Sequence, residues 1–240
     1  MNLLEVKNLF KSYDGNLVVK GVDLYIQRSE IVGLLGPNGA GKTTTFNMIV
    51  GILKPDKGRI IFDNQDITSL SIHRRASFGI GYLSQEPSIF RRLTVEENIM
   101  AILEILRLSP TQRKKRLKEL LNELNISHLA KNKAYTLSGG EQRRLEITRC
   151  LVTNPSFILL DEPFSGIDPI TVGECQEVIQ ELKRKGIGLL LTDHNVRETL
   201  SITDRAYLIA EGKILISGSA SDLLNDPKAR EIYLGEKFKM

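Results

Sequence analysis

Tryptophan is absent from the 240 residues, and other reactive or aromatic side chains are scarce: two Cys, three His and 6% aromatic residues. Cys150 and Cys175 stand apart without C-x-x-C spacing, which argues against a disulfide framework or a thiolate metal centre. His73, His128 and His194 have no clustered partner ligands, so they point to no zinc-type site. No run approaches the roughly 18 to 20 apolar residues that cross a bilayer. Met1 to Phe10 contains Glu5 and lacks a basic-then-apolar leader pattern. The expectation is a soluble cytoplasmic protein. Internal repeats and low-complexity tracts are missing too, which excludes a solenoid or a tether.

What remains is an ordinary globular mixture, 41% hydrophobic and 26% charged, long enough for one full domain. A net charge of +4, from 33 basic and 29 acidic residues, is too slight to argue for nucleic-acid binding. The densest basic run, Arg113 to Arg116, precedes Leu117, Leu120, Leu121 and Leu124 at helical spacing, and reads as the solvated face of an amphipathic helix.

The order of elements predicts an α/β core. Leu3 to Phe10 and Leu17 to Ile26 alternate around the turn Tyr13-Asp14-Gly15-Asn16, the pattern of an antiparallel pair. Glu30 to Leu35 is a short apolar strand that leads through a Gly-rich turn into a helix from Gly41 to Gly51. Arg59 to Phe62, Gly79 to Leu83, Phe157 to Leu160, Gly188 to Leu191 and Ala206 to Ile209 read as strands buried on both faces of a sheet. Between residues 86 and 154 the alternation stops, and helices are expected over Val95 to Leu106, Thr111 to Leu124 and Gly140 to Val152. This block reads as a helical subdomain inserted between the two parts of the core, 1–85 and 155–240. The tail returns to strand at Lys213 to Ser217 and ends in helix from Ser221 to Tyr233, where Pro227 can start a last turn.

Three motifs carry chemistry. Gly36-Pro37-Asn38-Gly39-Ala40-Gly41-Lys42-Thr43 fits the phosphate-binding pattern G-x-x-x-x-G-K-[ST], between a strand and a helix as its mechanism demands. Glycines let the backbone curl its amides inward around an anion, and the helix terminus adds partial positive charge. Lys42 is then placed for the β- and γ-phosphates, and the Thr43 hydroxyl for Mg²⁺, with Thr44 beside it. Phe157 to Glu162 is an apolar strand ending in two carboxylates whose side chains point to opposite sides. Asp161 suits the metal shell and Glu162 suits an attacking water. Leu137 to Gln142 opens a helix with Ser138-Gly139-Gly140, a second anion-binding terminus, while Ser138 with Glu141 also makes a capping box.

Gly36 to Thr43, Leu137 to Gln142, and Asp161 with Glu162, in this order, resemble the ATP-binding subunit of an ABC transporter, a P-loop NTPase core with an antiparallel β subdomain and an inserted helical subdomain. The resemblance covers essentially the whole chain and implies ATP and Mg²⁺ as cofactors. It implies a head-to-tail homodimer in which Ser138, Gly139 and Gly140 bind the γ-phosphate held by the partner subunit. Tyr13 sits where the family stacks adenine, and Gln85 resembles the Q-loop glutamine that contacts Mg²⁺ and water. Ser165-Gly166-Ile167-Asp168 resembles the D-loop, with glycine where many relatives have alanine, and His194 resembles the switch histidine at the γ-phosphate.

With no membrane segment in the sequence, the resemblance implies two separate transmembrane permease subunits. Ser88 to Leu93, with Phe90 and Arg91, is suited to docking one of their helices, and core packing accounts for its apolar members equally well. Gln85 to Leu93, Leu191 to Leu200 and Ile232 to Phe238 are most similar to ATPases of lipopolysaccharide export, whose permeases are LptF/LptG-like. Branched-chain amino-acid importer ATPases share much of the same ground. A soluble ABC protein of DNA repair or translation would carry two cassettes or a long coiled coil, and a non-catalytic relative would lose Glu162 or His194.

Overall fold

A computed structural model describes residues 3–235, so the part of the Ile232 to Phe238 stretch beyond Gly235 lies outside the described residues. The chain begins with two long strands, β1 (Leu3–Tyr13) and β2 (Asn16–Gln27), paired antiparallel with Tyr13 opposite Asn16. Alternate residues Leu4 and Val6 of β1 and Val22, Leu24 and Ile26 of β2 turn inward, and their neighbours face solvent. β3 (Ile31–Leu35) is buried at every position. It feeds helix α1 (Lys42–Val50), which Gly51 ends in the left-handed conformation at φ 92°.

β4 (Lys57–Phe62) and β5 (Gln65–Asp66) follow. The sequence predicts Arg59 to Phe62 as a strand buried on both faces; instead β4 pairs antiparallel with β1 and buries only Ile60 and Phe62. The physical signal was its alternation, Arg59 and Ile61 being more open than their neighbours. Helix α2 (Ile72–Phe78) has no counterpart in the sequence reading, because its one buried side chain is Arg75 rather than an apolar residue. β6 (Ile80–Leu83) then leads to three helices, α3 (Val95–Leu103), α4 (Pro110–Glu123) and α5 (Gly139–Leu151), each begun by a capping box at Thr94, Ser109 and Ser138. Leu120 and Leu121 of α4 are buried; of its basic run Lys114 and Lys115 are exposed, whereas Arg113 and Arg116 are half-buried and Arg116 donates to the Leu151 carbonyl at 3.3 Å, so the run is only partly the solvated face that amphipathic spacing predicts.

From β7 to β9 strand and helix alternate, and β10 follows β9 directly: β7 (Phe157–Asp161), α6 (Pro169–Arg184), β8 (Gly188–Thr192), α7 (Val196–Ile202), β9 (Arg205–Ala210) and β10 (Lys213–Gly218). The expected terminal helix is broken into α8 (Ala220–Asn225) and the short α9 (Pro227–Ala229), which runs on into a wider turn over Arg230–Leu234. Pro227 does start that last helix, and the Asp226 carboxylate accepts from the Ala229 amide at 2.7 Å.

The strands form two sheets. One is β2-β1-β4-β5; the other is β10-β9-β3-β8-β7-β6, parallel from β9 to β6 with β10 antiparallel at the edge. Phe62 of the first sheet meets Phe157 of the second edge to face at 5.7 Å, a pair that contributes about 0.5–1.5 kcal/mol beyond its buried area. In a parallel sheet the carboxyl ends of the strands share one edge, where ligands bind in folds of this kind. The ends of β3, β8, β7 and β6 lie side by side on that edge, and each is followed by a motif singled out in the sequence.

Candidate functional site

Gly36 leaves β3 so close to β9 that a Cβ would collide with the Ile209 carbonyl oxygen. Gly39 and Gly41 take φ 77° and 98°, which side chains disfavour, and this turns the loop onto α1. Pro37 accepts from the Ala40 amide at 3.2 Å, Ala40 is buried, and Asn38 and Gly39 form the exposed tip. α1 has no side-chain cap, whereas α3, α4, α5, α6 and α8 each have one. The first amides of α1, at Lys42, Thr43 and Thr44, therefore look outward for an acceptor. Lys42 is only 7% exposed, and its ammonium donates to the carbonyls of Gly36 at 2.6 Å and Pro37 at 2.9 Å. Burial lowers its pKa, and the charge of Glu162 partly offsets that. A desolvated cation beside outward-looking amides is a cradle for a phosphate chain.

β7 ends at Asp161, half-buried, whose Oδ1 accepts from the Thr192 hydroxyl at 3.0 Å. Burial raises its pKa, and the charge of Glu162 adds to that. A carboxylate held short of full solvation gains from a cation, and with the Thr43 hydroxyl it offers the hard oxygen donors that Mg²⁺ prefers. Among the described residues no group of three or more His, Cys, Asp or Glu side chains is built to hold a metal.

Glu162 stands next in the left-handed region at φ 46°, and its amide donates to the Thr192 carbonyl at 2.8 Å. Gln85 Nε2 donates to Glu162 Oε2 at 2.8 Å, and His194 Nε2 lies 2.6 Å from Oε1. The three residues named as catalytic from the sequence thus meet, brought from the ends of β6, β7 and β8. An ionised carboxylate has about four acceptor positions, so both tethers leave room for a water.

The remaining residues named from the sequence make local contacts of their own. The Ser138 hydroxyl accepts from the Glu141 amide at 3.3 Å, and Glu141 Oε2 accepts from the Ser138 amide at 2.7 Å, so the capping box is made. Gly139 is exposed and Gly140 buried, where a Cβ would strike the Glu174 carboxylate. Asp168 caps α6, accepting from the amides of Ile170 at 3.0 Å and Thr171 at 3.1 Å. Gly166 takes φ 72° in open space, a turn that alanine would make under strain. Tyr13 ends β1 with its ring exposed and the Lys11 ammonium 5.8 Å from its centroid.

The sequence profile of the family described as "ABC transporter" matches residues 19–165. The chain belongs to this family. Over alignments covering all of both chains, this ABC ATPase is 54% identical to the lipopolysaccharide export system ATP-binding protein LptB of Haemophilus influenzae and 52% identical to LptB of Escherichia coli K12. Its fold matches the ADP conformation of an ATP-binding cassette of an ABC transporter with a TM-score of 0.87 at 34% identity, covering 98% of this chain and all of that one. It also matches a dimeric, post-hydrolysis ATP-binding cassette bound to ADP and Pi, with a TM-score of 0.75 at 27% identity over 90% of this chain and 98% of that one.

Three residues of this ABC ATPase that sequence reasoning passed over shape the site. Asp193 is buried, and its carboxylate accepts from the amides of Phe164 and Asn195, both at 2.8 Å. Tyr233, in the last turn, packs against the cluster around Leu35, with its hydroxyl near the Gly36 backbone. Asp56 accepts from Lys11 at 2.8 Å and from the amide and hydroxyl of Ser12 at 2.7 and 2.8 Å, which hold its pKa down at about 2 and pin the strand end that presents Tyr13. An acid directly before a histidine and an acid directly after a proline carry no local signal of such contacts.

In the expected docking segment Phe90 is 49% exposed, with the Arg149 guanidinium 4.7 Å from its ring centroid. The buried Asn98 holds its backbone, accepting from the Phe90 amide at 2.8 Å and donating to its carbonyl at 3.0 Å. Arg91 is exposed, and its carbonyl accepts from the Tyr135 amide at 3.1 Å. A rigid backbone here carries an aromatic and a cation outward. No helix among the described residues is long and apolar enough to cross a membrane.

Proposed function

We propose that this chain is the ATP-hydrolysing subunit of a lipopolysaccharide export transporter, a homodimer on the cytoplasmic face of the inner membrane beneath two LptF/LptG-like permease subunits. The observation that carries the chemistry is the Glu162 carboxylate, held at both oxygens by Gln85 and His194 on the strand edge that also carries Lys42. The full-length likeness to LptB proteins supports the export assignment.

In this reading Lys42 leaves the loop carbonyls to meet the β- and γ-phosphates, and the amides from Gly39 to Thr44 cradle them. Tyr13 stacks on adenine. Asp161 and Thr43, with Gln85, would hold Mg²⁺, whose charge offsets that developing on the phosphates. Glu162 orients water for in-line attack, Gln85 and His194 fix its aim, and His194 also donates to the γ-phosphate. Ser138, Gly139 and Gly140 complete the site from the partner subunit, with Asp168 at the dimer seam. ATP therefore closes the dimer and hydrolysis releases it. The helical block 86–154 acts as a subdomain that carries Ser138 and receives the permease at Phe90 and Arg91.

The test is affinity purification of the tagged Glu162→Gln chain in ATP from detergent-solubilised membranes, with partners identified by mass spectrometry. Two different membrane proteins with periplasmic β-rich domains are expected. Recovery of all-helical permeases instead would move the function to amino-acid import.

A further inference from the structure

Asp193 is a buried carboxylate, 2% exposed, that the mechanism above does not use. Its two oxygens reach different loops. Oδ2 accepts from the amide of Phe164, two residues past Glu162, and Oδ1 accepts from the amide of Asn195, just past His194, both at 2.8 Å. Pro163, between Glu162 and Phe164, has no amide to give and restricts its own backbone, so Phe164 is the first position after Glu162 where the chain can be tied by its N–H. Glu162 itself sits in the left-handed region at φ 46°, a conformation that persists in a bulky residue only when its surroundings hold it. Asn195 in turn caps α7, its side chain accepting from the Glu198 amide. Burial raises the pKa of Asp193, while the amides that donate to it pull the other way.

We propose that Asp193 is a positioning residue for hydrolysis: its carboxylate ties the loop after Glu162 to the loop that carries His194, and so sets the registry of the Glu162–His194 pair. The inference rests on the reading of Glu162 as the residue that orients water. Two acceptor oxygens are what the role requires, since one amide from each loop must be met at once. Asparagine has the same shape and one acceptor, so it can serve one loop and turns its NH₂ toward the other amide.

The experiment compares Asp193→Asn and Asp193→Ser with the parent chain by steady-state phosphate release, ATP binding and thermal melting, with Glu162→Gln measured alongside. The expected result for Asp193→Asn is a fall in kcat of about tenfold or more with KM for ATP within about twofold, because the loop from Gly36 to Thr43 is untouched. In a His194→Ala background the same change has little further effect, since the pair it positions is already gone. Amide exchange on the unmodified chain supplies a readout that needs no variant: Phe164 and Asn195 are expected to be strongly protected. Parent-like kcat in Asp193→Asn, an effect fully additive with His194→Ala, or fast exchange at Phe164 overturns the proposal. If Glu162→Gln retains turnover, the reading of Glu162 falls instead. If Glu162→Gln is inactive while Asp193→Asn turns over normally, only the role of Asp193 falls.

Discussion

His194 Nε2 lies 2.6 Å from Oε1 of Glu162, so the aim of the glutamate is set by a residue on the neighbouring strand end and not by its own loop alone. Replacing Glu162 by Gln keeps the shape and loses the charge. ATP binding is expected to survive and the ATP-bound dimer to accumulate, with turnover down at least about 10²-fold. Phosphate release with size-exclusion chromatography in ATP checks this, and parent-level turnover would remove Glu162 from its role.

On the proposed reading Ser138 has two jobs that can be separated. Its hydroxyl caps α5, so Ser138→Ala is expected to cost about 1 kcal/mol of stability, read by chemical denaturation. The same variant is expected to lose ATP-dependent dimerisation. Ser138→Asp restores the cap, because aspartate is as good an N-cap, but sets a negative charge against the partner's γ-phosphate. Stability should return while dimerisation does not; recovery of both would show that the residue serves the helix alone.

Asp161 trades stability for charge. Its folded pKa is raised above the ordinary 3.8, chiefly by burial. Between 3.8 and that raised value the folded chain binds more protons than the unfolded one, so the contribution of this group to stability falls as pH rises through the window and stays low at neutral pH. Asp161→Asn, which can still accept from Thr192, is expected to melt no lower than the parent at pH 7 without nucleotide, and the advantage should vanish toward pH 3.8. The added stability that Mg²⁺ and ATP give the parent should be lost. A variant that Mg²⁺ and ATP stabilise as they do the parent would refute the metal role.

Tyr233→Phe keeps the ring against Leu35 and removes the hydroxyl near the Gly36 backbone. Weaker ATP binding with little change in stability is expected, since Gly36 begins the phosphate loop. Calorimetric titration with ATP at fixed Mg²⁺ decides this, and unchanged affinity would confine Tyr233 to packing.

Where a function needs a local pattern, the amino-acid sequence carried it. The phosphate loop announces itself because its glycines, lysine and threonine act within one turn. The cap at Ser138 is visible because Glu141 closes it three residues later. The strands β3, β7 and β8 are legible because a strand covered on both faces must be apolar throughout. Where burial involves a polar residue, the pattern fails: α2 hides behind Arg75, which spends its donors on the carbonyls of Met48, Ile49, Leu70 and Thr68. β4 pairs with β1 and not in the parallel sheet, which a short apolar run cannot reveal because it does not name its partner, and β1 lies about fifty residues upstream.

The amino-acid order alone thus specifies the phosphate loop, the paired carboxylates after β7, the cap at Ser138 and the α/β order, all of which follow from interactions within a few residues. The tertiary structure alone decided that β6, β7 and β8 lie side by side, so that Gln85 and His194 grip opposite oxygens of Glu162. It also decided that Asp193 bridges two loops and that Tyr233 returns from the end of the chain to Gly36. Strand order is a contest among long-range pairings and buried area, and no short stretch of sequence records its outcome.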